Sequence, residues 1–391
     1  MSCWACGEEF FCLLSVYHNR KNEKFIYLQI DIRDNPMPLP NDSRLPVYRL
    51  ASVFNNTTAT YKFYWFISLL DAVVKENKRV VSFWEIIAGM LAESWYPIHY
   101  FKLSFGKSDS LFVQSKALQQ MLNIPIDADK DRIKSLLIEN IGNQRVKSCL
   151  RVFSLNVPYR FLSPWITYTT DADVVRQSQQ FHNQCLYAIR GEMIETNPVW
   201  LDYLCEHYAI LSGFAFWNLT LFLQKRNPNV PDVPSKLIKP IQRDSLTRQH
   251  RFWDAYISSV GSIRCIYTDK PLYAKGYDLD HFIPWSFVSH NLLWNLLPAD
   301  SSINSSKSNN LPSLDAYLRP YTKLHHEALK SLYPLKPNDK IFEDYLTIYD
   351  SVPELIKLSE VDFCNVFKKT LSPMVQIAEN MGFQTWTKQI N

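Results

Sequence analysis

Glycine is what this chain has least of. Its 391 residues include 9 glycines, about a third of the usual share of roughly 7%. No two of them fall within one short loop. A G-x-G-x-x-G turn and a G-x-x-x-x-G-K loop are therefore both missing, which excludes Rossmann cofactor binding and P-loop nucleotide hydrolysis. So few glycines also argue against a turn-rich all-β fold. Long apolar runs are missing too. The longest stretch without Asp, Glu, Lys, Arg or His, Tyr208–Gln224, contains Ser212, Gly213, Asn218 and Thr220. It is shorter than the ~20 residues a membrane span needs, so it reads as a buried core helix and no membrane is expected. Charge of one sign is not in excess either. There are 42 Lys+Arg against 38 Asp+Glu, a net +4, too mild to mark a nucleic-acid binder by charge alone. The 8 cysteines are mostly far apart and read as free buried thiols of a reducing, cytoplasmic compartment. Glu8 and Glu9 stand where a secretory signal would carry basic residues, so none is expected.

Apolar residues make up 47% of the chain and aromatics 14%. That is ample material for large cores, and at ~150 residues per domain the length suggests two or three packed units. Residues 1–54 read as an irregular segment with a strand near Phe25–Ile32. Residues 55–225 read as one α-helical domain for recognition, sensing or dimerisation. Helices are predicted from Tyr61 to Val74, from Ser82 to about Tyr96, and near 111–122, 128–152, 171–190 and 197–224. The second has a clear start: Ser82 and Glu85 form a capping box, with Val81 and Ile86 placed as its hydrophobic staple. Pro97 is expected to end it. The aromatic stripe through Trp65, Phe66, Trp84, Trp95, Trp200 and Trp217 reads as core.

Composition changes at Lys225. Residues 225–251 hold four prolines and seven Lys/Arg against Asp232 and Asp244. Residues 226–250 therefore read as a basic linker. Arg243, Arg248 and Arg251 are placed to grip a phosphate backbone. Beyond residue 318, residues 319–391 form a C-terminal helical segment, with helices near 313–332, 340–349 and 360–381.

Chemistry concentrates between Arg264 and Asn310. Arg264–Tyr267 and Lys270–Tyr273 read as short strands around a turn, and Leu279–Ile283 as a further strand carrying Asp280 and His281. A loop follows with His290, which is placed to touch DNA, to serve as an auxiliary base, or to remain a polar loop residue. A short helix capped by Asp300 or Ser301 then carries Asn304 and Lys307, three apart and so on one face. These groups suit phosphodiester hydrolysis. Mg²⁺ prefers oxygen ligands and keeps several waters, and Asp280 and Asn304 supply two such oxygens. A neutral histidine can accept a proton from the attacking water, the metal can polarise the phosphate, and Lys307 can neutralise charge on it.

The segment resembles the HNH, or ββα-metal, endonuclease family. D-x-D-H-F-I-P-x-S-F, then Asn295, then S-x-I-N-x-x-K-S-N is most similar to the HNH domain of the RNA-guided CRISPR effector nucleases. C-x-Y-T-x-K-P stands just ahead. The resemblance implies His281 as general base, Asp280 and Asn304 as Mg²⁺ ligands with Mn²⁺ as a substitute, and Lys307 at a phosphate-contacting position. It also implies that Asn295 braces the loop that positions the histidine. Products would carry 5′-phosphate and 3′-hydroxyl. Cys265 stands alone, with Thr268 in the place of a second cysteine, so no structural zinc is expected in the module. The resemblance covers about 50–60 residues. No arginine-rich bridge helix and no second set of nuclease strands accompany it, so the chain does not read as RNA-guided.

The overall expectation is a mainly α (α+β) protein. A large helical domain precedes a small ββα-metal module over 251–318, followed by C-terminal helices. Its substrate is expected to be duplex DNA, with a homodimer or two binding events needed to cut both strands. By analogy it suits a bacterial restriction or antiviral defence system, with a partner protein of that system. Two alternatives remain: a catalytically silent nucleic-acid-binding protein on the same platform, and a nuclease selective for RNA or for structure. Other constellations are weaker. Cys3, Cys6, Cys12 and His18 hold half of a zinc-ribbon pattern. His325 and His326 point about 100° apart on a helix and read as surface residues. Asp171, Asp173, Glu192 and Glu195 read as solvated helix faces.

Overall fold

Local signals set the first elements. Ser82 Oγ accepts the Glu85 N–H at 3.1 Å, and Glu85 Oε2 accepts the Ser82 N–H at 3.1 Å. This is the predicted capping box, and Val81 and Ile86 are both buried beside it. The helix it opens, Phe83–His99, runs through Pro97. A proline in the last turn gives up a single N–H bond, and the Tyr100 N–H to Tyr96 O bond at 3.0 Å closes the helix after it. The computed structural model describes residues 38–239 and 244–386, without the side chains of Asn304 and Ser305. Phe25–Ile32, the Cys3, Cys6, Cys12 and His18 alternative, and Arg243 lie outside the described residues.

The described chain is mainly helical with a few short strands. β1 (Val80–Ser82), β2 (Tyr187–Arg190) and β3 (Met193–Thr196) form one antiparallel sheet in the order β1-β3-β2. The sequence analysis placed a helix over 171–190. The helix stops at Ser178, because Phe181, Asn183 and Gln184 take φ near +50°, which no helix accommodates. Gly191 at φ +63° then turns the hairpin. Glu195 consequently sits on β3 and Glu192 in the turn before it, and neither is on a helix. Glu195 pairs with Arg79 and Arg190, and Glu192 accepts from Trp84 Nε1. The expected helix over 128–152 is two helices, Lys130–Glu139 and Gln144–Ser154. Asn143 breaks the run by accepting the Arg145 N–H at 2.9 Å as an N-cap.

Two hydrophobic cores result, both within one compact unit, Leu39–Asn391. The first spans Leu45–Leu237 and centres on Phe83–His99 and Tyr61–Leu70. Trp65, Phe66, Trp95 and Trp200 are buried there, whereas Trp217 is 47% exposed. The uncharged helix Tyr208–Gln224 is thus buried on one face only; Ile210, Trp217 and Leu221 lie outside. The basic stretch after it is not a free linker, since Val230, Val233, Lys236 and Leu237 are buried in this core.

The second core spans Phe252–Trp386 and joins the module to the C-terminal helices. Tyr321, on the helix Leu314–Leu332, stacks on Phe282 with centroids 3.9 Å apart. His325 and His326 are buried here, at 0% and 2% exposure, and not on the surface. The helix buries a wide stripe, and both rings find partners: His325 Nδ1 meets Tyr345 Oη at 2.7 Å, and His326 Nε2 donates to Ile356 O at 3.1 Å. The helix expected over 340–349 is 3₁₀ over Lys340–Thr347. Trp285 ties the two cores together, its ring 5.8 Å from Phe101. Lys102 Nζ adds a bond to Gly382 O at 2.7 Å. Among the described residues no helix is long and apolar enough to cross a membrane. Cys185 and Cys265 are buried free thiols, but Cys205 is exposed.

Candidate active site

The module begins with two minimal strands, β4 (Ile263–Arg264) and β5 (Pro271–Leu272), shorter than their predicted spans. Asp280 and His281 lie in the hairpin of β6 (Asp278–His281) against β7 (Leu296–Ala299), antiparallel, with Asp280 opposite Leu297 and His281 opposite Leu296. The sequence analysis left β7 as loop, because Leu-Leu-Pro-Ala has no alternation to read. All four of its residues are buried, as a strand covered on both faces should be. The helix Ser301–Lys307 follows, started by Asp300 Oδ1, which accepts the Ser302 N–H at 3.1 Å. Asn304 lies in this helix; its side chain is outside the described residues.

Successive strand residues point to opposite faces, so Asp280 and His281 meet different partners. Asp280 turns inward. It is 3% exposed, accepts from Tyr267 Oη at 2.8 Å, and pairs with Lys307 Nζ at 3.1 Å. Burial pushes its carboxyl above the usual range, while Lys307 and Tyr267 pull it back. Lys307 also donates to His281 O at 2.7 Å and is 0% exposed. Its ammonium therefore lies beneath the hairpin and not at a surface where phosphate arrives, which corrects the phosphate-contact expectation.

His281 is half-buried, and its Nε2 lies 2.9 Å from Asn291 Oδ1. Asn295 is fully buried and grips one residue with both ends of its amide. Its Oδ1 accepts the Ile283 N–H at 2.8 Å, and its Nδ2 donates to Ile283 O at 2.9 Å. Its main-chain carbonyl accepts the Phe282 N–H at 2.8 Å. The segment directly after His281 is thereby held at both edges. His290 is half-buried against Trp294, accepts the Leu292 N–H on Nδ1 at 3.3 Å, and is held down to about 4, mainly by burial. It is a neutral turn residue, already engaged, and not an exposed DNA contact.

The basic residues divide. Arg248 donates to Asp344 Oδ1 at 2.6 Å, while Asp344 Oδ2 accepts the Leu293 N–H at 2.7 Å. Arg248 therefore braces the loop from a distance in sequence. Arg251 is exposed on the helix Thr247–Val260. Sequence reasoning missed Tyr267, Asn291 and Asp344. Tyr267 was visible in C-x-Y-T-x-K-P, whereas the other two carry no local signal.

Asp280 offers the hard oxygen that Mg²⁺ takes. Among the described residues no group of three or more His, Cys, Asp or Glu surrounds it. One buried carboxylate is no all-protein cage, and an ion held here would keep most of its waters. Residues 265–313 match the family described as HNH endonuclease. No curated protein and no solved structure matches the chain.

Proposed function

We propose that this module is a Mg²⁺-dependent endonuclease that cleaves duplex DNA. The observation that carries the reading is one hairpin, β6–β7. It carries Asp280 and His281 as neighbours inside the span that matches the HNH family. His281 accepts the proton of the attacking water. Asp280 and Asn304 would hold the metal ion, whose chemistry there would be to polarise the phosphate and stabilise the departing oxygen. Asn295 holds the backbone after His281 so that its ring is presented in one place. Lys307 neutralises Asp280 from below and fixes the His281 carbonyl. Arg251 and the exposed part of the 225–251 stretch supply phosphate contacts. One such site cuts one strand, so a double-strand break calls for a homodimer or two binding events.

The test is supercoiled plasmid incubated with Mg²⁺, with EDTA, and with the His281→Ala protein. Wild type should nick or linearise the plasmid, and both controls should leave it supercoiled. Cleavage that survives His281→Ala would remove the base from the mechanism. One observation favours a second reading, a DNA-binding platform without cleavage: the Lys307 ammonium already neutralises Asp280. That reading expects salt-sensitive duplex binding and intact plasmid, phage DNA and RNA with either Mg²⁺ or Mn²⁺.

A further inference from the structure

A helix that is apolar all round belongs inside a core. Tyr208–Gln224 carries no charged residue, yet one of its faces is left outside. Phe214 and Phe222 turn inward, their rings 5.2 Å from Phe54 and 5.4 Å from Phe63. Ile210, Trp217 and Leu221 turn outward, at 43%, 47% and 44% exposure, and Gly213 is exposed among them. We propose that this face is the contact between two copies of the chain, packed as an antiparallel helix pair about a twofold axis. The inference goes beyond the nuclease reading and does not depend on it.

What selects a second copy is that the face fits itself. In a twofold contact, residue i of one copy meets j of the other, and j meets i. Glu206, Ile210, Gly213, Trp217, Leu221 and Lys225 follow one another at about one helical turn. Laid antiparallel on a copy of itself, this line sets Ile210 on the partner's Leu221, Gly213 on the partner's Trp217, and Glu206 on the partner's Lys225. Apolar meets apolar, small meets large, acid meets base, and each contact is made twice. Parallel packing would instead set each charge on its own like.

The local structure keeps these residues in line. Glu206 ends the preceding helix, Pro198–Glu206. The junction at His207 continues the ladder, with the His207 N–H on Tyr203 O at 3.0 Å and the Leu211 N–H on His207 O at 2.9 Å. Glu206 and Lys225 are both exposed. Gly213 has no work inside its own chain: a Cβ there would meet nothing within 4 Å, and glycine within a helix is unfavourable relative to alanine. In the pair, its missing side chain makes room for the partner's indole. One helix face from each copy buries less than the ~1,600 Å² of a standard interface, so the dimer is reversible and forms at micromolar concentrations.

Sedimentation velocity on the full chain, without nucleic acid, tests the contact across micromolar concentrations. Wild type should pass from monomer to dimer and stop there, because a twofold contact closes on itself. Trp217→Lys should weaken the dimer by about 100-fold or more, as loss of a central tryptophan does at other interfaces. Gly213→Gln should weaken it as much, yet melt at or above the wild-type temperature at concentrations where both are monomers, since it meets nothing in its own chain and favours the helix. That variant decides the matter if Trp217→Lys does not fold. Glu206→Lys alone should weaken the dimer by about tenfold. Adding Lys225→Glu to it should restore association, which only an antiparallel register allows. A wild type that stays monomeric throughout would overturn the proposal. So would a dimer that Trp217→Lys and Gly213→Gln both leave intact, or a charge swap that the second change does not rescue. Cleavage is not read here, so failure of the nuclease reading leaves the dimer to stand or fall by itself.

Discussion

Lys307 shows how far a residue's meaning depends on where its stem leads. In the chain it stands three residues after Asn304 on a short polar helix, the ordinary position of a solvated cation. In the fold its ammonium is fully buried between Asp280 and the His281 carbonyl. Removing one partner of a buried pair leaves the other charge uncompensated, at a typical cost of about 3–5 kcal/mol. Lys307→Met should therefore lower stability by about that much in urea denaturation with EDTA present. Asp280→Asn combined with Lys307→Met should cost clearly less than the two single changes added together. An additive double variant would mean that the pair is not coupled. At this scale the site was half legible. Asp280, His281 and Asn295 could be placed because each belongs to one short, contiguous pattern. Asn291 and Tyr267 could not, because the contact that gives each its work crosses ten and thirteen residues of chain, and no spacing rule reaches that far outside a helix.

Elements followed the same division. Where an end is set by its own side chains, the sequence reading and the structure agree. Ser82 is such an end, and Ser82→Ala should cost about 1 kcal/mol, read as a lower urea midpoint with the m-value unchanged. A loss much below that would mean that burial of the Phe83–His99 helix sets its start without the cap. Where a strand pairs with a distant partner, the reading failed. β2 and β3 looked helical because a run such as Tyr-Ala-Ile-Arg carries little period of its own, and β1 supplies the third strand from more than a hundred residues upstream. β7 looked like a loop for a related reason: a strand buried on both faces has no alternation.

At the scale of the whole molecule, the buried histidines set a pH dependence. Burial holds His325 down to about 3 and His99 down to about 4, against ~6.5 in an unfolded chain. Between those values the unfolded state binds more protons than the folded one, so stability falls as pH falls through that window. From His325 alone the loss should reach about 2 kcal/mol by pH 5. Urea midpoints measured between pH 7 and pH 4 should drop, and more steeply in wild type than in His325→Gln. Equal slopes would show that His325 takes a proton inside the fold. That two adjacent histidines lie inward was invisible in the sequence, since a helix buries as wide a stripe as its neighbours cover, and the helix Glu360–Asn380 covers this one.

By itself the sequence determined the mainly helical class, the capped helix starts and the segment that matches the HNH family, in which Asp280, His281 and the downstream Asn295 stand. All of these rest on interactions that close within a few residues, or on a motif read in one piece. Only the tertiary structure decided which side chains serve those residues. Asn291 faces the ring of His281, Lys307 turns inward to Asp280, and Asp344 reaches Leu293 from 51 residues away. Each of these contacts forms only when separate segments pack into one core, and burial then fixes the partner, because a buried polar group left unpaired costs more than almost any alternative packing.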